Sequence, residues 1–462
     1  MRGTAPTEAA VPDSDPKNGG GVVPWTQVTD VAQLNEALAS GAREVEVSGT
    51  LKGMPSVTLP PGVALRGGEL VFGAKGLRLT RDNSVEDITV RTPAHELAIY
   101  NDPTVEDLGT LRLTNVTSYG QVYLTAEGSI RAGRVEADGV HVAEADTRGR
   151  ADRPTGFGVE AMQGAFTLWN RQPDVGVVLT ARLENISAGS AEAPVRGGGV
   201  FVGGHGDKAG KADGGTVAVE LLSTGDVFAD GGIAPGTPDL ISGGVFIISG
   251  AYATEVANLG TTTFGQNDMV LDNWGAVENW TAKAKVTSHG PSGIGFVNFG
   301  DIGVLSVEAP IETTGLGARG FNVYDGSLRE AVFESITTRG DGSVGVQVSR
   351  DLPKLTNTGS LSTSGGTGES LVKGVLMPLS AIALSVKPTG HIGSVDIGAD
   401  ISTDGDGLAT VDLEGPVGTL TVGGKIIAHG AGASSVRIAG VTGPDLDGLT
   451  LEAPNGQPMA AE

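Results

Sequence analysis

Val245-Phe-Ile-Ile-Ser-Gly250, Val270-Leu-Asp-Asn-Trp-Gly275, Gly295-Phe-Val-Asn-Phe-Gly300, Gly320-Phe-Asn-Val-Tyr-Asp325 and Gly345-Val-Gln-Val-Ser-Arg350 follow one another at a constant step along the chain. Laid over one another they make columns. Phe246, Leu271, Phe296, Phe321 and Val346 are apolar at every level, so this column points inward. Two residues on, Ile248, Asn273, Asn298, Val323 and Val348 point the same way by strand alternation. The two asparagines read as an internal amide ladder. The columns between them then face outward: Ile247, Asp272, Val297, Asn322 and Gln347, and beside them Ser249, Trp274, Phe299, Tyr324 and Ser349.

The same step runs along much of the chain. Glycines stand at 265, 290, 315, 340 and 365, and again at 405 and 430. Four residues before them come Thr261, Val286, Ile311, Ile336, Leu361, Ile401 and Ile426. Eight residues before all but Gly365 come Ala257, Ala282, Val307, Val332, Ile397 and Val422. These segments are rich in Gly, Thr and Val, with turn glycines and no helical period, so they are strands rather than helices. Each coil buries its apolar face only against its neighbours. The expected fold is all-β: a single-domain right-handed parallel β-helix, or β-solenoid, with coils of ~25 residues stacked about 4.8 Å apart. Residues 371–391 break the phase.

Upstream, the pattern continues if two insertions between coils are allowed, taking in Gly164-Ala-Phe-Thr-Leu-Trp-Asn170 and Gly199-Val-Phe-Val-Gly-Gly-His205. Trp169 then joins the outward aromatic column, and Gly204 and Ser249 form a gap in it. Asn170, His205, Asp325 and Arg350 share the next position. Residues 1–21 read as a disordered arm rich in Pro, Gly, Asp and Ala. Asp30-Val-Ala-Gln-Leu-Asn-Glu-Ala-Leu-Ala-Ser-Gly41 has an acidic N-cap, apolar Val31, Leu34, Ala37 and Leu38, and a stop glycine, so it predicts a short helix capping the first coil. The solenoid is expected over 22–445, with loop insertions at about 140–242, and a C-terminal tail over 446–462.

The chain has 462 residues, a formal charge of −23 and no cysteine. The charge argues against nucleic acid and anionic membranes as partners, and the missing thiols exclude disulfides, thiolate metal sites and cysteine nucleophiles. No zinc-like spacing occurs among the six histidines. The N-terminal stretch lacks the apolar core of a signal peptide, and no apolar run is long enough to span a bilayer. The expectation is a soluble protein, either cytoplasmic or secreted with its leader removed.

From about residue 30 to 440, the coil repeats and capping helix resemble the pectin-lyase-like β-helix superfamily. That resemblance implies carbohydrate lying along one parallel sheet between loop walls, and side-by-side homotrimers as a common assembly. It spans lyases, hydrolases, epimerases and noncatalytic adhesive proteins. Outward aromatics suit it, because the C–H face of a sugar packs on a π surface. Trp169, Trp274, Phe299 and Tyr324 would form the platform, with Asn170, Asn322 and Arg350 among the substrate-binding groups.

Asp272 and Asp325 are the leading acid and base candidates, Asp301 a third carboxylate and His205 an auxiliary. His205 lies in Gly203-Gly-His-Gly-Asp-Lys208, which is similar to the Gly-His-Gly element of polygalacturonases. The Arg-x-Lys element expected after it is missing, so that mechanism is not carried over. The expected activity is a glycoside hydrolase or glycosyl transfer on a mainly neutral polysaccharide, with no resident cofactor or metal. A uronate lyase or epimerase, for which calcium would be the ion, and a noncatalytic glycan-binding solenoid are the alternatives.

Overall fold

The computed structural model describes residues 25–460; the arm expected over 1–21 lies outside them. The helix Val31–Ala39 forms as expected, with Asp30 accepting from the Gln33 amide at 2.9 Å and Leu34 and Ala37 buried against the first strands. From there the chain winds as a parallel β-helix. Each regular coil contributes three strands, as in Asp301–Val307, Ile311–Thr314 and Arg319–Val323, and each strand pairs in parallel with its counterparts in the coils before and after. These define a first, second and third face around one continuous apolar core.

The columns explain why the coils stack. On the second face, Thr261, Val286, Ile311, Ile336, Leu361, Ile401 and Ile426 pair in register and are fully buried, as their spacing predicts. On the third face the inward column is Val200, Val245, Leu271, Phe296, Phe321, Val346 and Leu384. Inside it, Asn273 donates to Asn298 at 2.8 Å and Asn298 to the Gly300 carbonyl at 2.9 Å, so the amide ladder is real.

Three corrections of register follow from the pairing. Val245 rather than Phe246 pairs with Leu271, so Phe246 faces out and Ile247 faces in. On the first face the inward column runs through Asn258 and Phe333, leaving Ala257 and Val332 outside. Coils slightly shorter or longer than the repeat absorb the difference in their turns. A slip of a single position then reverses which way every side chain points.

The glycine series marks a corner where backbones touch. A Cβ on Gly315 would lie 2.5 Å from the Gly290 carbonyl oxygen, and one on Gly340 would lie 2.5 Å from that of Gly315. Gly340 also has φ +127°, which side chains rarely adopt.

Two antiparallel hairpins are inserted into this winding. Thr155–Gly156 pairs with Val159–Ala161, and Thr367–Val372 with Val375–Ser380; the second accounts for the phase break. Both lie on the outside of the third face, and below they are called the straps. At the far end, Thr450–Glu452 and Gln457–Met459 pair with the preceding coil, so winding continues into the stretch expected as a tail.

Gly340→Ala should therefore destabilise the solenoid by about 2 kcal/mol or more, through steric clash and backbone strain. Gly149→Ala, where a Cβ meets open space, should melt like the parent chain, and calorimetry on the pair checks this.

Candidate functional site

The outer surface of the third face was the expected platform, and the structure covers its downstream half. Trp274 and Tyr324 are only 4% and 5% exposed, while Phe299 is half-buried. Phe157 of the first strap stacks on Phe299 at 4.5 Å and meets Trp274 edge-on at 5.4 Å. Phe299 stacks in turn on Tyr324 at 5.3 Å, and Lys373 of the second strap stands 5.7 and 5.6 Å from these two rings. With Val159, Ala161, Leu371 and Phe246 they form a second apolar cluster outside the solenoid. The aromatic stripe faces outward from the coils but does not face water.

The carboxylates are dispersed. Asp272 is fully buried; Trp274 Nε1 donates to its Oδ2 at 3.1 Å and its Oδ1 has no partner. Burial pushes its carboxyl well above the ordinary range. This corrects its reading as an outward acid beside a cleft. Asp325 sits at the corner after the third face, ion-paired with Arg350 at 2.9 Å. Asp301 opens a strand of the first face, where its Oδ1 accepts from Ser327 at 2.6 Å.

Asn322 is buried beneath the straps. Asn170 is structural: its amide donates to the Val177 and Thr216 carbonyls at 3.0 and 2.9 Å. Trp169 and His205 do come together, lining a cleft of about 270 Å³ with Asp152, Arg171 and Lys208. Here Trp169 Nε1 donates to the Gly204 carbonyl at 3.1 Å, and His205 Nδ1 lies 2.6 Å from Asp213. Pairing puts Gly203, not Gly204, beside Trp169 in its column.

A larger open groove lies elsewhere, on the outside of the first face, at about 1060 Å³. It crosses the strands from Thr180 to Asp351, seven in all, a length of about 29 Å at strand spacing. Pairing and alternation set two outward columns along it. One runs Thr180, Ala218, Tyr252, Ala276, Asp301 and Ser327; the other runs Glu220, Thr254, Glu278, Gly303 and Arg329.

Small residues make the floor, and Tyr252, 48% exposed, stands up from it. Glu220 is engaged by Arg134 at 2.7 Å and Asp351 by His391 at 2.5 Å, whereas Glu278 and Arg329 make no ion pair among the described residues. Only Asp301 of the expected site residues lies here. The groove's signal in the sequence is the alternation in Ala276-Val-Glu278 and Ser327-Leu-Arg329.

No protein family, curated protein or solved structure matches the chain. Among the described residues no helix is long and apolar enough to cross a membrane.

One buried acid has a measurable consequence. Asp268 begins the strand that carries Asp272 and accepts from the Gly265 and Gly231 amides at 2.7 and 3.1 Å. Burial dominates over these bonds and raises its pKa from 3.8 to about 7. The folded chain thus keeps a proton that the unfolded chain loses near pH 4. This contribution to stability is full at low pH and is lost as pH rises through 7. Asp268→Asn should flatten the fall in melting temperature between about pH 4 and 7; an unchanged slope would show that Asp268 is ionised in the fold.

Proposed function

We propose that this chain is a carbohydrate-binding β-solenoid that seats an extended, mainly neutral oligo- or polysaccharide along the first-face groove. The observation that carries the reading is that groove itself: long, shallow, floored by small side chains, with an exposed Tyr252 beside polar groups of the neighbouring strands. A sugar ring packs its C–H face on such a ring and turns its hydroxyls to carboxylate, amide and guanidinium partners, here Glu278, Asn279, Asp301 and Arg329.

The resemblance of the coils to pectin-lyase-like β-helices, which carry carbohydrate along a sheet, supports the same reading. The acid surplus in the groove favours neutral or amino sugars over uronates, whose carboxylates it would repel. On a glycan array the chain should retain neutral polysaccharides, and Tyr252→Ala should weaken retention roughly tenfold. Undiminished retention by that variant would rule the groove out.

One observation favours a hydrolytic version. Asp301 lies opposite Ala276, so Glu278 is its diagonal neighbour on the same face, with a Cβ separation of about 7–8 Å. Two carboxyl groups at roughly that distance can divide into acid and base around a water. Glu278→Gln and Asp301→Asn should then each cut the release of reducing ends by a hundredfold or more while weakening retention far less, because each keeps a polar side chain in place. Retention without any release of reducing ends would leave the binding function alone.

A further inference from the structure

Unpartnered buried polar atoms occur in the core, as at Thr263, Ser288 and Thr313, and also on the outside of the third face beneath the straps. The middle outward column of the third face runs Asp272, Val297, Asn322 and Gln347, all paired in register. Asp272 Oδ1, both amide atoms of Asn322, Gln347 Oε1 and the neighbouring Arg319 Nε lack any hydrogen-bond partner. Orphaned polar atoms of this kind weaken a fold, and native chains keep few of them. Val297 sits between Asp272 and Asn322 in the same column and shows that an apolar side chain fits there. The aromatic column Trp274, Phe299 and Tyr324 runs alongside.

What covers this column is tied to the coil ladder only at one edge, where Val159–Ala161 pairs in parallel with Leu240–Ile241; the Phe157 turn and the whole second strap lie outside the ladder. The straps and the outer aromatics form their own cluster, distinct from the solenoid core, and both hairpins are additions to complete coils. They meet backbone to backbone, where a Cβ on Gly158 would lie 2.7 Å from the Lys373 carbonyl oxygen. The second strap is held by Arg319 Nη2 donating to the Leu371 carbonyl at 2.6 Å, Ser370 Oγ to that of Gly317 at 2.7 Å, and the Leu371 amide to Ser292 Oγ at 3.0 Å. The first strap ends in Phe157, whose flat ring occupies the outer face of Phe299 at 4.5 Å.

We propose that this covered column is a second, gated ligand site, shown here closed. The straps lift, and one hydroxyl-rich ring, a neutral sugar or cyclic polyol, replaces Phe157 on Phe299. The Asn322 amide and the Asp272 carboxyl then supply the polar partners that its hydroxyls require. The site is independent of the first-face groove, and neither requires the other.

The test uses the full chain, amide hydrogen exchange, and myo-inositol, glucose, galactose and mannose at millimolar concentration as probes. Thr155–Gly158 and Thr367–Ser380 should exchange faster than the second-face strands, and at least one probe should slow them. Phe157→Ala should strengthen that protection about tenfold in half-effective concentration. Asn322→Leu should raise the melting temperature, because it removes two orphaned atoms, yet abolish the protection. Tyr252→Ala should leave protection of the straps unchanged, which separates this site from the groove. The proposal is overturned if the straps exchange as slowly as the coils, if no probe protects them in either the parent chain or Phe157→Ala, or if Asn322→Leu keeps the protection.

Discussion

Everything on this molecule is spaced by the contact of one coil's backbone with the next. Parallel ladders hold neighbouring strands about 4.8 Å apart, and at the corners where faces meet the chain must turn within that pitch. The stack Gly290, Gly315 and Gly340 shows how: each glycine turns the place where a side chain would stand toward the carbonyl oxygen of the glycine before it. A Cβ there would push two coils apart and break the ladder on every face. The pitch in turn makes columns. Apolar columns fill the interior, and the few polar groups inside must find each other, as Asn273 finds Asn298 and Trp280 Nε1 finds Asn258 at 2.9 Å.

A surface built this way presents stripes rather than isolated residues. The first-face groove is such a stripe: its small floor residues and its taller Tyr252, Glu278 and Arg329 occupy two parallel columns. A ligand that matches it must itself be extended and repetitive, which is the physical reason for preferring a polysaccharide over a compact molecule.

The pitch is also what made the fold legible in sequence. Ile311, Ile336 and Leu361 stand one full repeat apart and stack fully buried; their spacing carried the coil length and the strand type at once. The same reading failed by a single position at Phe246, Ala257 and Val332, because spacing counts residues whereas pairing counts strand positions, and a turn can take up the difference without disturbing the ladder. The candidate site was less legible. Alternation placed Trp274, Phe299 and Tyr324 outside the coils, but what lies over them comes from Phe157 and Lys373, far away in sequence. No periodicity encodes where an inserted hairpin will fold back.

Those hairpins change how the third face has to be understood. A solenoid is stabilised coil against coil, so an apolar cluster outside the coils, sealed by two straps, adds burial that the winding does not need. Had that burial served stability alone, the column beneath it would be apolar throughout, as Val297 is. Instead it holds a carboxyl with one unpartnered oxygen and an amide with no partner, on the side that the straps close over. Stability is given up at Asp272 and Asn322, beside a run of stacked aromatics outside the coils. That coincidence of a local cost with a chemically suited neighbourhood is what marks a position kept for what it contacts rather than for how well it packs.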